Sequence, residues 1–221
     1  RDDVRPCMRC LEECVRRTVD RTTKVSCALN PRANEEMFFN IKKIETPKNV
    51  VVVGAGPGGM EAARVAALEG NKVTLFEKSS VKGGNMLVAS TPDFKDPIKD
   101  LLRWYDTQLG KLGVEIRMNT EIKADDPILE QADLIVMATG ANELVPPIPG
   151  IHGNNVVSVI DAHMDWDLVK GNNIVICGGG LSGCECAYDL AKEKGMTVTV
   201  VEMFNKVLNG VFTINEFSLK F

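Results

Sequence analysis

Four cysteines stand ahead of anything that reads as a strand: Cys7, Cys10, Cys14 and Cys27, spaced C-x2-C-x3-C-x12-C. A tight triple with one remote thiolate can wrap an iron–sulfur cubane. Structural zinc sites instead pair two separated C-x2-C knuckles or add histidines, and no histidine precedes His152. The spacing favours a [4Fe–4S] cluster over zinc. Residues 1–43 carry ten Lys and Arg against seven Asp and Glu, a local excess that could offset four thiolates or simply solvate a linker. A plainer reading puts Cys7, Cys10 and Cys14 at i, i+3 and i+7, forming with Leu11 and Val15 the buried face of one helix. Cys27 lies outside that pattern.

The second chemical signal is glycine. Gly54-Ala55-Gly56-Pro57-Gly58-Gly59 fits G-x-G-x-x-G directly after an apolar run and at the mouth of an alanine-rich one. Gly54 serves the tight turn, Gly56 lets backbone approach a pyrophosphate, and Gly59 brings helix against strand, with helix N-terminal amides facing the anion. Glu77, 23 residues after Gly54 at the end of the next apolar run, can accept hydrogen bonds from ribose hydroxyls. Gly178-Gly179-Gly180-Leu181-Ser182-Gly183 repeats the arrangement, with Glu202 in the place of Glu77. Two such turns imply two dinucleotides. A carboxylate at Glu202 bonds a free 2′-hydroxyl and repels a 2′-phosphate, which favours NADH over NADPH, although Lys206 nearby tempers this. The bland alternatives are a tight turn and a solvated strand-end glutamate.

These residues need strands and helices to hold them. The first unit reads strand 49–53, helix 58–69, strand 72–76, a Gly-Gly loop, helix 97–112, and strands 114–118 and 134–138. The second reads strand 173–177, helix 181–194 and strand 197–201. Strands alternating with helices predict an α/β fold of two Rossmann-like, doubly wound parallel units, their Val/Ile runs covered on both faces. Thr46-Pro47-Lys48 and the proline-rich stretch 146–150 mark the boundaries. The expected domains are a Cys-rich arm, 1–48; an FAD-binding domain, 49–150; and an incomplete NAD(P)H-binding domain, 151–221. Two strands are too few to close the last sheet, so a piece of a longer chain is expected, with Phe217, Leu219 and Phe221 opening a further packed element.

Composition bounds the rest. With 221 residues, 44% hydrophobic and 25% charged, the chain can bury a sizeable core and is neither low-complexity nor disordered. A net charge of −4 supplies no global field for a phosphate backbone, so nucleic acid is not an expected partner. No window approaches eighteen apolar residues, so no membrane span is expected, and the opening residues lack the apolar core of a signal peptide. A reducing, cytoplasmic setting follows as the expectation. Cys177, Cys184 and Cys186 read as core thiols. Cys184 and Cys186 diverge on a helix, which argues against the flavin-facing dithiol of a disulfide reductase. His152 and His163 read as exposed loop residues, and Asp161, Asp165 and Asp167 as solvating a short helix.

Taken in order, Arg5-Pro6-Cys7-Met8-Arg9-Cys10, Ser26-Cys27-Ala28-Leu29-Asn30-Pro31-Arg32-Ala33, Val53 to Ala63, Ala138-Thr139-Gly140-Ala141 and Val200-Val201-Glu202-Met203 make a specific combination. The chain resembles the C-terminal half of the iron–sulfur flavoenzymes related to 2,4-dienoyl-CoA reductase, 2-enoate reductase and the old yellow enzyme-type NADH:flavin oxidoreductases. By that resemblance Cys7, Cys10, Cys14 and Cys27 would hold the [4Fe–4S] cluster. Gly54, Ala55, Gly56, Pro57, Gly59, Glu77 and Lys78 would hold the ADP half of FAD; Gly84, Asn85, Ala138, Thr139 and Gly140 would line the flavin; and Gly178, Gly180, Gly183 and Glu202 would take NAD(P)H. The family often has glutamine where Asn85 stands and glycine where Asn34 stands.

The resemblance implies hydride transfer from NAD(P)H to FAD, then single electrons across the cluster to an FMN in a preceding TIM barrel that reduces an activated C=C bond, as in an enoate or dienoyl-CoA. No acid, base or nucleophile falls in this chain on that reading. Two other readings stay open at this stage. One is an amine-dehydrogenase-like flavoprotein that sends electrons to an acceptor flavoprotein; the other is a zinc-stabilised nucleotide-binding scaffold without turnover.

Overall fold

The computed structural model describes residues 2–20 and 24–209; Phe217, Leu219 and Phe221 lie outside the described residues. Valine at every position of β1 (Asn49–Val53) after the first makes a strand that is buried on both faces. It pairs in parallel with β2 (Lys72–Phe76) on one side and β4 (Leu134–Met137) on the other, with Val53 opposite both Phe76 and Met137. Strand β3 (Glu115–Arg117) adds to β2, which gives the order β3-β2-β1-β4. This is the parallel α/β arrangement expected.

Two helices cover one face. Helix α2 (Pro57–Leu68) opens with proline in its first turn, where the missing N–H leaves no bond unmade. Helix α4 (Asp96–Lys111) buries Ile98, Leu101, Trp104, Tyr105 and Leu109, a helical spacing that presents one apolar stripe. That stripe meets Met60 and Ala63 of α2 and the Val50, Val52, Val73 and Leu75 side of the sheet. Burying each large side chain there contributes about 1.5–3 kcal/mol. On the opposite face Val51, Val53 and Phe76 pack with Ile122 and with Ile128 and Leu129 of the short α5 (Pro127–Glu130). Helix α3 (Asn85–Ala89) is a further short element.

The described residues divide into two compact units between Glu143 and Leu144. In the second, β5 (Asn173–Cys177) and β6 (Thr197–Val201) pair in parallel, and α7 (Leu181–Lys192) packs Cys186 and Leu190 on Ile176. A short α6 (Val159–Met164) starts at Ser158, whose hydroxyl accepts from the Asp161 amide. The expected bounds of β1, β2, β5 and β6 are those observed. Coverage of every strand on both faces is corrected: Met137 of β4 is 66% exposed, Val175 of β5 61% and Val201 of β6 53%. Only one side of β5 and β6 meets a helix among the described residues of this unit.

The arm differs from its helical reading. Arg9 and Leu11 both sit at φ 58°, in the left-handed region, and break any helix between Cys7 and Cys14. A single π turn, Glu12–Arg16, then runs into α1 (Arg17–Asp20). Cys7 and Cys14 are exposed and Cys10 and Cys27 half-buried, so one buried apolar face does not explain them. The Ser26 amide donates to the Glu13 carbonyl at 3.1 Å and its hydroxyl to Glu13 Oε2 at 2.8 Å, which ties the limb carrying Cys27 to the turn carrying Cys14.

Candidate functional site

Every loop that leaves the C-terminal ends of β1, β2, β3 and β4 faces one cleft of about 610 Å³. Open parallel sheets place their ligand crevice at this edge. Gly54 starts the first turn at φ 103°, and a Cβ there would lie 2.3 Å from the Ala138 carbonyl oxygen. A Cβ on Gly59 would lie 1.8 Å from the Gly54 oxygen, so only glycine lets α2 approach β1 this closely. Gly56 is the opposite case. Nothing lies within 4 Å of where its Cβ would stand, and its flank opens into the cleft.

The Glu77 carboxylate already closes the turn. Its Oε2 accepts from the Ala55 amide at 2.7 Å, and Oε1 accepts from the Ser79 amide and hydroxyl, each at 2.9 Å. Burial raises its pKa, but the Ser79 and Ala55 amides outweigh burial and hold it below the ordinary carboxylate value. Gly83 donates to the Ala55 carbonyl at 2.9 Å, bringing the Gly83-Gly84 loop onto the first turn, where a Cβ on Gly84 would lie 3.2 Å from the Gly56 Cα. Asn85 Nδ2 donates to the Ala141 carbonyl at 3.4 Å.

The cleft thus gathers Gly54, Gly56, Pro57, Glu77, Lys78, Gly84, Asn85, Ala138, Thr139 and Gly140, with Ala55 and Gly59 behind the turn. Thr120, Glu121, Ile122 and Asn142 also line it, and sequence reasoning missed them. The rule that strand C-termini point to the crevice, applied to β3, would have found the first three. The described residues that line this cleft include no cysteine.

The second unit repeats this geometry. Gly178 stands at φ 113°, a Cβ on Gly183 would lie 2.0 Å from the Gly178 oxygen, and Gly180 faces open space. Glu202 Oε2 accepts from the Gly179 amide at 2.7 Å and Oε1 from the Phe204 amide at 2.9 Å. The Phe204 and Gly179 amides lower the pKa of this half-buried carboxylate.

Three sequence readings in this unit are corrected. His163 is buried on α6, its ring edge-on to Trp166 at 4.8 Å and its Nδ1 3.8 Å from Asp189 Oδ2, because its helical position turns it toward α7. Cys177 is exposed at the end of β5 and Cys184 is half-buried, with Sγ 3.4 Å from the Gly179 oxygen; Cys186 alone is a core thiol. Asp165 caps a 3-10 turn, accepting from the Asp167 amide, and so does more than solvate.

In the arm, Cys10 is half-buried, with the exposed Cys7 and Cys14 on either side of it in sequence. Burial pushes its pKa up, and the charges of Cys14, Cys27 and Cys7 push in the same direction. The Arg9 amide donates to Cys7 Sγ at 3.3 Å. No group of three or more His, Cys, Asp or Glu among the described residues converges on a single metal-ion position. Zn–S bonds of about 2.3 Å would draw four sulfurs to within roughly 3.8 Å of one another, whereas a cubane spreads its thiolates over separate corners.

The family profile described as pyridine nucleotide-disulphide oxidoreductase matches residues 48–216. The chain belongs to that family. Membership accords with the paired parallel units and with FAD and NAD(P)H as the nucleotides that such domains use. The chain is 44% identical over 207 residues to a cinnamate reductase of Clostridium sporogenes, covering 94% of this chain and 30% of that protein. It is 35% identical over 226 residues to an NADH oxidase of Thermoanaerobacter brockii, covering 99% of this chain and 34% of that one. A solved complex of 2-naphthoyl-CoA reductase superposes with a TM-score of 0.90 at 33% identity, over 99% of this chain and 33% of the other. The resemblance to enoate-reductase-type flavoenzymes is borne out, and the chain spans about a third of the length of these relatives. Among the described residues no helix is long and apolar enough to cross a membrane.

Proposed function

We propose that this chain is the electron-input part of a multi-centre oxidoreductase that reduces an activated carbon–carbon double bond. FAD would bind in the first cleft, NAD(P)H on the second glycine turn, and a [4Fe–4S] cluster on Cys7, Cys10, Cys14 and Cys27. Bound there, these groups supply hydride uptake as an electron pair and its onward passage as single electrons to an FMN in a barrel domain outside this sequence. The observation that carries the reading is an arm bearing four cysteines, two of them half-buried, joined through Arg5 and Glu61 to a flavin-type fold.

The residues of the chain bind and orient. The open flank at Gly56 admits a pyrophosphate to backbone contact, and the N-terminal amides of α2 face it. Glu77 holds the turn with one oxygen on Ala55 and keeps lone pairs for ribose hydroxyls. Glu202 does the same for the second nucleotide, and its charge favours NADH. Left-handed backbone at Arg9 and Leu11 turns the chain on either side of Cys10, and the Arg9 amide offers a hydrogen bond to sulfur of the kind that tunes cluster potential.

The relatives that bear the names cinnamate reductase and 2-naphthoyl-CoA reductase make unsaturated carboxylates and aromatic acyl-CoA thioesters the substrates to try first. The test is anaerobic oxidation of NADH by the full-length protein with cinnamate or an enoyl-CoA as acceptor. Substrate-dependent turnover supports the reading. Oxidation of NADH with an artificial acceptor but with neither unsaturated acid nor thioester would confine the function to electron input alone, and no oxidation at all would refute it.

A further inference from the structure

None of the three charged residues that join the arm to the first unit, Arg5, Glu61 and Arg64, lines its cleft. Glu61 lies on α2, one turn after the pyrophosphate-facing Pro57. Both its oxygens accept from Arg5 Nη2 at 2.8 Å, and both are also held by Arg64, whose Nε and Nη2 donate at 2.9 and 2.8 Å. The three side chains are 17%, 14% and 11% exposed for Glu61, Arg5 and Arg64. Arg5 also lies against Trp104 of α4, its guanidinium carbon 4.6 Å from the ring centroid.

Arg5 has a further bond, from Nη1 to the Leu29 carbonyl. This joins two limbs of the arm: Arg5 precedes Cys7 by two residues, and Leu29 follows Cys27 by two. The half-buried Leu29 packs against the core between sheet and helices. A second tether lies at the start of the arm, where Asp3 Oδ1 takes Lys111 Nζ at 2.8 Å and Gln108 Nε2 at 3.1 Å. A loop of this kind could be held by a single exposed ion pair. Instead a doubly held carboxylate fixes both cysteine limbs to the helix that opens on the dinucleotide turn.

We infer that Glu61 is a positioning residue: by holding Arg5 it sets the four cysteines at a fixed place relative to the FAD cleft. The inference rests on the cluster reading above. The path between the two sites is short and stiff, from the turn at Gly56, through one turn of α2 to Glu61, across the guanidinium to Arg5, and two residues on to Cys7. Breaking a buried pair leaves an uncompensated charge that water must enter to solvate, so loss of Glu61 frees the arm as well as removing one bond. Passage of electrons between fixed centres depends on their separation, whereas hydride transfer from NADH to the flavin involves none of these residues.

The test uses the full-length protein as wild type, Glu61→Gln and Arg5→Lys; Arg5→Lys leaves α2 itself untouched. Hydrogen–deuterium exchange is read on peptides covering residues 5–14 and 27–29, and rapid mixing with NADH follows flavin bleaching and cluster reduction separately. The expected result in both variants is arm exchange faster by at least about tenfold, flavin bleaching within about twofold of wild type, and cluster reduction slower by at least about tenfold. Unchanged arm exchange and unchanged cluster reduction in the folded variants would overturn the inference. So would a fall in flavin bleaching that matches the fall in cluster reduction, the sign of general damage. A wild type without iron or sulfide would refute the cluster reading instead, and arm exchange would still decide whether Glu61 holds the loop.

Discussion

The Ala55 amide donates to the Glu77 carboxylate at 2.7 Å, and the second unit repeats the bond between Gly179 and Glu202 at the same length. In each unit the residue after the first glycine of the turn is held by the acid at the end of the next strand. A single side chain thus shapes the glycine turn in each unit, and in the proposed reading the same side chain faces a ribose.

Replacing Glu77 with Gln should weaken the apo protein by about 1.5–3 kcal/mol, the range for hydrogen bonds to a charged group. The pH dependence follows from its lowered pKa. A carboxyl that ionises more readily when folded adds stability above its ordinary value of 4.5 and loses that stability as pH falls through the folded value. Urea unfolding of the wild type and E77Q should therefore differ at pH 7 and converge in acid. A constant gap down to pH 3 would refute this role.

Gly56 and Gly59 should separate binding from folding. Gly56 has φ −71° and open space beside it, so Gly56→Ala should leave apo stability within about 0.5 kcal/mol while FAD affinity falls at least about tenfold, some 1.4 kcal/mol. Gly59→Ala drives a methyl into the Gly54 carbonyl and should lose about 3 kcal/mol or more. Thermal unfolding with and without FAD measures both. Equal effects from the two substitutions would contradict the assignment of Gly56 to the pyrophosphate.

Glu202 is the coenzyme discriminator in this reading. Removing its charge in Glu202→Gln should lower the ratio of kcat/KM for NADH over NADPH by about tenfold, chiefly through better use of NADPH. Initial rates of flavin reduction with each coenzyme test it. An unchanged ratio would leave Glu202 a turn-shaping residue only.

The thiols outside the arm should react in order of exposure. Burial pushes Cys186 up to about 11, whereas Cys177 lies exposed at the end of β5. Because the folded pKa of Cys186 is raised, its contribution to stability is full below the ordinary thiol value of 9.0 and is lost as pH rises toward about 11. Alkylation at pH 8 followed by peptide mapping should label Cys177 rapidly and Cys186 only on unfolding. Early labelling of Cys186 would contradict the packing of α7.

The glycine turns, the four long strands and the three long helices were legible because their signals are local. A valine run such as Val50 to Val53, glycines at fixed offsets and an apolar stripe at helical spacing each act within one element. The short helices α3 and α5 lack a full period of apolar residues and escaped notice, and the short helix at Asp161 was legible only as a solvated one, so the burial of His163 beside Asp189 was not. Thr120, Glu121 and Ile122 carry no motif and join the cleft only because β3 ends beside β2. The Arg5–Glu61 bond spans 56 residues, and no spacing rule relates its partners. Neither could the arm's left-handed residues be read in advance, since Arg9 and Leu11 are not residues that favour positive φ.

Metal and sulfide content decides the central claim most directly. Full-length protein purified without oxygen should contain about four iron atoms and four acid-labile sulfides per chain, with FAD, and lose the iron signal when Cys10 or Cys27 is replaced by Ser. Stoichiometric zinc without sulfide, on the same four cysteines, would contradict it.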